Sequence, residues 1–254
     1  MKGAGAVVVS ENAGGLDAIA HARRQVRKGA RLVVTGGMDG SICPWGWVAQ
    51  LASARLSTSV DCGRAYLPFD ARAAGHVPAE GGALLTLESP ASARERGARV
   101  YGEIAGYAST FDAVVDPEAG RGLRRAIEIA LSDAGLGAGD VDVVFADGAA
   151  IPELDRAEAA ALATVFGPRG VPVTVPKTTS GRLCSGAAPL DVVSALLAIR
   201  DRVIPPTINV SPRPEYELDL VVDQPRSADI ATAVVLARGY GGFNSALVVQ
   251  RTTT

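Results

Sequence analysis

Unbroken apolar runs and helical stripes alternate along this chain, and together they predict layers of strand and helix. Ala6-Val7-Val8-Val9 has no polar interruption, the pattern of a strand buried on both faces. It runs through Ser10-Glu11-Asn12-Ala13-Gly14-Gly15 into a helical pattern with apolar residues at Leu16, Ile19, Ala20 and Val26. A sharp strand-to-helix turn is expected at residues 11–14. Leu32-Val33-Val34-Thr35 reads as a second short buried strand, ended by Gly36-Gly37. Residues 57–82 are turn-rich and irregular, and a loop of that length inside a compact domain is often functional.

Residues 83–88 read as a strand, Ser89-Pro90 as the cap and first turn of a short helix that Gly97 ends, and residues 100–107 as a strand. The clearest helix spans 122–134. There Leu123, Ala126, Ile127, Ala130, Leu131 and Ala134 follow the i, i+3, i+4, i+7 stripe, and Gly135 closes the last turn. Strand (141–146), helix (153–166), strand (171–175) and helix (189–200) follow. Ile204-Pro205-Pro206-Thr207 breaks the chain, and two last strands, 231–237 and 244–249, flank the glycine-rich turn 238–243. Alternation of this kind implies an α/β fold around a mainly buried sheet.

Composition narrows the functional classes. With 254 residues, 48% of them hydrophobic, the chain can bury a sizeable core, and a net charge of −2 gives no electrostatic case for nucleic acid or an anionic membrane. Cys43, Cys62 and Cys184 are scattered and odd in number, which reads as reduced thiols in a cytoplasmic protein. Only His21 and His76 are available as histidines, so a multi-histidine metal site is not expected. The apolar run at residues 6–9 is too short for a signal-peptide core or a membrane span.

The turn at Asn12, taken with Gly81-Gly82, Lys177 and the glycine-rich tail, resembles the β-ketoacyl synthases of the thiolase fold. In that family a nucleophilic cysteine sits in the first elbow, where the helix N-terminus favours its thiolate. Two histidines from later loops and a lysine complete the condensing site. Ser10 to Asp17 matches the elbow and puts Asn12 at the cysteine position. Ala146-Asp147-Gly148 falls on the family's Ala-His-Gly, so Asp147 stands for the first histidine. Lys177-Thr178-Thr179-Ser180-Gly181-Arg182 falls on the lysine-to-histidine loop, with Lys177 retained and Arg182 in place of the second histidine. Asp155-Arg156, Glu158, the Pro-Pro-Thr run and Gly239 to Asn244 match as well.

These substitutions select a branch. An asparagine amide nitrogen is delocalised and does not accept an acyl group. An anionic Asp147 cannot donate the imidazole hydrogen bond that stabilises a thioester enolate, and a permanently protonated Arg182 is no base. The chain therefore resembles the chain length factor, or ketosynthase beta subunit, of bacterial type II aromatic polyketide synthases. Its elbow usually reads Ser-Glu-Gln-Ala-Gly-Gly-Leu-Asp. Asn12 is one methylene shorter than that glutamine, and Ala79 stands where the family loop has Gly-Glu-Gly-Gly.

The resemblance implies a layered αβαβα fold, with residues 1–89 the remainder of the N-terminal ketosynthase half and 90–254 the C-terminal half. Most of the N-terminal half, which carries the helix gating the polyketide tunnel, is expected to be absent. It also implies a non-condensing subunit that pairs with a ketosynthase alpha subunit and helps set poly-β-ketone length in antibiotic or pigment biosynthesis. No cofactor of its own is implied; the substrate rides on the phosphopantetheine of an acyl carrier protein. The alternatives are a subunit with its own malonyl-carrier-protein decarboxylase or priming activity, in which Asn12 and Lys177 polarise the thioester carbonyl, and a truncated, non-functional fragment. The plainer expectations are that Asn12 caps the helix behind it, Asp147 and Arg182 form a buried ion pair or separate structural hydrogen bonds, Lys177 is structural, and His21 and His76 are ordinary surface or supporting residues.

Overall fold

A computed structural model describes residues 3, 5–112 and 120–252. In chain order the elements are α1 (Gly14–Arg27), β1 (Leu32–Asp39), α2 (Pro44–Ala52), β2 (Gly81–Glu88), α3 (Pro90–Glu95), β3 (Glu103–Phe111), α4 (Arg121–Ala134) and β4 (Val143–Phe145). They continue with α5 (Pro152–Phe166), β5 (Pro172–Thr174), α6 (Ala187–Asp201), β6 (Val203–Ile204), β7 (Asp219–Leu220), β8 (Arg226–Ser227), β9 (Thr232–Arg238) and β10 (Phe243–Gln250).

The main sheet has the order β3-β10-β9-β4-β5-β7, antiparallel from β3 to β9 and parallel from β9 to β7. Its central strands are apolar on both faces because both faces are covered. Val234, Leu236, Ala246 and Val248 pack with Leu123, Ile127 and Leu131 of α4 and Leu162 of α5. The alternate residues Val235, Leu247 and Val249 pack with Leu16 and Ile19 of α1 and with Val192 and Ala195 of α6. The antiparallel pair β1-β2 lies on the far side of α1 and α6, with Leu85 and Leu87 turned inward. The layers run helix, sheet, helix, sheet, and the outer face of β1-β2 leaves Val34, Met38 and Leu84 exposed.

Two glycines make the middle of this stack possible. A Cβ on Gly15 would lie 2.4 Å from Pro189 and from the Ser185 carbonyl, so only glycine lets α1 lie this close to the start of α6. Gly82 has φ +151°, and a Cβ there would meet the Gly37 carbonyl at 2.0 Å across the β1-β2 pair.

Several expectations change. Residues 6–9 form no strand: Val7 is 90% and Val9 84% exposed, because no neighbouring strand among the described residues completes their hydrogen bonds. The strand expected to end at Gly36 continues to Asp39, and it is half-exposed instead of buried, since only its inner face meets a helix. The strand placed at 100–107 is β3, shifted to 103–111. Helix α2 was not expected: Trp45, Val48 and Leu51 are exposed, so it has no inward stripe to read. The cap at Ser89, whose side chain accepts the Ser92 amide, and the left-handed Gly135 after α4 agree with the pattern.

Candidate functional site: the elbow cleft

The elbow turn is held by the residue before the nucleophile position. Glu11 sits in left-handed backbone conformation (φ +55°), and its Oε2 accepts the Asn12 amide at 2.6 Å and the Tyr240 amide at 2.8 Å. One carboxylate thus fastens the elbow to the glycine-rich tail. Asn12 does not cap α1 as expected. The N-cap is Ala13 with no side-chain bond, and the buried Asn12 Oδ1 has no hydrogen-bond partner. The Glu11 backbone carbonyl already accepts the Gly14 amide that a cap at Asn12 would use.

Behind Asn12 lies a buried ionic cluster built on the loop between β4 and α5. Arg182 Nη2 donates to both carboxylate oxygens of Asp147, at 2.8 and 2.7 Å, and Nη1 donates to the Asp147 carbonyl at 2.9 Å. Burial opposes ionisation of Asp147, but the charges of Arg182 and Lys177 outweigh it and hold the carboxyl below its ordinary range. The Arg238 amide adds a third donor to Asp147 at 3.1 Å. The loop itself is fixed from α5. Glu158 accepts the amides of Asp147 and Gly148, and Asp155 accepts those of Phe69 and Ala150. Burial dominates at Asp155 and pushes it up to about 7 despite the two amides.

Lys177 is away from the cleft wall. Its Nζ pairs with Asp191 at 2.6 Å and donates to the carbonyls of Ala146 (2.8 Å) and Asp147 (3.2 Å), all of them buried. It organises the loop beneath the site and is not among the residues that line the cleft. Ala79 leaves its turn well anchored: its amide donates to the Arg182 carbonyl at 2.9 Å, and the Arg182 amide donates to Val77 at 2.8 Å.

These elements enclose a cleft of about 640 Å³ lined by Glu11, Asn12, Arg55, His76, Asp147, Arg182, Cys184, Arg238, Tyr240 and Asn244 among others. Asn12, Asp147 and Arg182 therefore come together as the motif alignment implies. His76 joins them, which spacing alone did not show. The Gly75 amide donates to the Ala150 carbonyl and the His76 amide to Arg55, so the irregular loop folds back onto the cleft. Burial first, then the charge of Arg182, pushes His76 down to about 4. Arg55 lies over the Tyr240 ring, 4.4 Å from its centroid. Glu11, Arg55 and His76 carry no periodic signal; the irregular stretch 57–82 around His76 was the only hint. His21 lies on α1 outside the cleft, bonded to Gln25.

Family models agree with this geometry. Residues 1–93 match the β-ketoacyl synthase N-terminal domain and residues 101–211 the β-ketoacyl synthase C-terminal domain. The chain belongs to the β-ketoacyl synthase family. Within that family, the relatives it resembles include ketosynthase beta subunits. It is 59% identical over 99% of its length to the tetracenomycin polyketide synthase ketoacyl synthase beta subunit of Streptomyces glaucescens. The chain spans 62% of that relative's length. A solved type II polyketide synthase acyl-carrier protein in complex with its ketosynthase bound to the hexaketide superposes with TM-score 0.91 at 32% identity, covering 96% of this chain and 62% of that one. The ishigamide ketosynthase/chain length factor superposes at 0.89 and 29% identity, covering 97% and 60%. No described helix is long and apolar enough to cross a membrane.

Proposed function

We propose that the chain acts as a non-condensing ketosynthase-like subunit, pairing with a cysteine-bearing ketosynthase and helping to set poly-β-ketone length on an acyl carrier protein in the cytoplasm. The observation that carries this is the pocket behind Asn12. No acyl acceptor stands at the elbow, and the two positions that need imidazoles are bound to each other as Asp147 and Arg182. The segment 5–9 beside the elbow, exposed and without a strand partner among the described residues, supports pairing, because an apolar run of this kind invites a strand from another chain. The partners carried by the similar structures, a ketosynthase and an acyl carrier protein, fit that surface and that substrate class. The division at residue 89, between a remainder of the N-terminal half and the C-terminal half, belongs to the same reading. The site residues then occupy catalytic positions without catalytic chemistry: Asn12 for the nucleophile, Asp147 and Arg182 for the histidines, and Lys177 as a retained support.

Co-expression with a ketosynthase alpha subunit and carrier protein tests it. The chain is expected to co-purify with the ketosynthase and to alter product length. Failure to co-purify, together with a product distribution indifferent to its presence, overturns the proposal.

A further inference from the structure

Two half-buried arginines in this molecule lie against aromatic rings, and their edges are treated differently. Arg213 stands over Tyr216, 5.5 Å from the ring centroid, and its Nε donates to the Glu215 carboxylate at 2.6 Å. Arg55 stands over Tyr240 at 4.4 Å, in the wall of the elbow cleft. Among the described residues, no carboxylate lies within ion-pair distance of the Arg55 guanidinium, and that guanidinium makes no hydrogen bond. Stacking uses the face of a guanidinium and leaves the N–H groups of its edge available.

The fold holds this unfilled charge in place, although a partly buried charge without partners is costly. The preceding Ala54 is in left-handed backbone conformation (φ +55°), a strained turn for a residue with a Cβ. The Arg55 amide donates to Ser53 Oγ at 3.3 Å, and its carbonyl accepts the His76 amide at 3.0 Å. A Cβ on Gly75 would meet that carbonyl at 2.6 Å, so glycine is needed for the loop to approach. The other cations of the cleft wall are already committed. Arg182 is bound to the Asp147 carboxylate and carbonyl, and Arg238 Nη1 donates to the Leu154 carbonyl at 2.7 Å. Burial pushes the Arg55 guanidinium down from its ordinary value, and the charge of Glu11, from beyond ion-pair distance, does not offset it.

The free edge restricts the ligand. A carboxylate meets two adjacent N–H groups of a guanidinium with two oxygens in one plane. Glu11 repels a dianion more strongly than a monoanion, which disfavours the phosphate dianion. The cleft, at about 640 Å³, has room for a chain behind the carboxylate. We infer that the elbow cleft binds a carboxylate monoanion, with the free edge of Arg55 as its receptor and the Tyr240 ring as the platform behind it. The cleft has lost bond-making groups and kept a charged recognition point. This inference stands apart from subunit pairing, and its test reads the cleft directly.

Binding of ¹³C-carboxyl propionate to the whole chain is followed by NMR at neutral pH. Propionamide is the uncharged ligand of matched size, and inorganic phosphate is the alternative anion. Arg55→Met keeps the apolar stem and removes the charge, while Arg55→Lys keeps the charge and removes the fork. Arg94→Met, on exposed α3 and outside the cleft lining, reports carboxylate binding to arginines in general. Propionate is expected to bind saturably. Arg55→Met should weaken it about tenfold, the share of one charge-assisted contact, Arg55→Lys about threefold, and Arg94→Met not at all. Propionamide and phosphate should each bind about tenfold more weakly than propionate. Absence of saturable binding overturns the inference, as does parental affinity in either Arg55 variant with urea unfolding unchanged. Equal loss in Arg94→Met, or propionamide binding as well as propionate, overturns it too. Phosphate binding more tightly than propionate, and depending on Arg55, overturns the assignment to a carboxylate.

Discussion

Two of the sheets of this molecule, the six-stranded one and the β1-β2 pair, are built from similar residues and meet different fates. In the six-stranded sheet, β9 and β10 are buried on both faces, with α4 and α5 on one side and α1 and α6 on the other. In the β1-β2 pair, only the face toward α1 and α6 is covered, and Leu84 remains 64% exposed on the other. A β-branched run thus specifies a strand's willingness to be buried, and the layers stacked on it decide whether burial happens. The elbow cleft is a seam between loops, where Asn12, His76, Asp147 and Arg182 come together.

The sharpest way to break the comparison is to cut equal apolar mass from each sheet. Leu236→Ala, in fully buried β9, is expected to cost about 2–5 kcal/mol in urea unfolding, whereas Leu84→Ala should stay within about 0.5 kcal/mol. Equal losses would mean that the outer face of β1-β2 is covered in solution. Next in size is the seam. Arg182→Met leaves Asp147 buried without its main partner and is expected to cost about 3 kcal/mol, and adding Asp147→Leu should recover much of it. A double variant no better than the single would show that Asp147 serves chiefly as acceptor for the Arg238 amide. Asn12→Cys is expected to form no acyl-enzyme from a labelled acyl carrier, since the ion pair behind it supplies no base; a stable adduct by mass spectrometry would show otherwise.

A smaller effect follows from pH. His76 is held at about 4 against an ordinary 6.5, so the unfolded chain takes a proton that the folded chain refuses. Its contribution to stability is complete above about 6.5 and declines as pH falls toward about 4, by about 2–3 kcal/mol in total. Asp155, raised by burial to about 7, has the opposite sign: stability is lost as pH rises from 3.8 through about 7. The measurement is therefore the difference between the parent and His76→Gln, which should flatten only the acid-side loss. The smallest expected change is Val34→Thr with Leu84→Thr. Unfolding should move by less than about 0.5 kcal/mol, while self-association in sedimentation velocity should fall, because these side chains form an uncovered apolar face.

Legibility followed the same divide. The stripe of α4 and the unbroken runs of β9 and β10 could be read because their burial is complete and periodic. Ala6 to Val9 carries the same signature and forms no strand, since a run of valines cannot report whether a neighbour is present. In the site, Asn12, Asp147 and Arg182 were legible through their motifs. His76 and Glu11 were not, because their places depend on bonds between distant loops, such as Gly75 to Ala150 and Glu11 to Tyr240. The unfilled valence of Asn12 Oδ1 could not be foreseen either, as the Glu11 backbone carbonyl takes the Gly14 amide that a cap would have used.

The Glu11 clamp has a temporal meaning. Its two amides belong to Asn12 and Tyr240, so the turn at the start of the chain is completed by a residue 229 positions later. Contacts of such long sequence separation form after local ones and slow folding. During synthesis the elbow therefore stays incompletely fastened until the segment that carries Tyr240 has emerged from the ribosome.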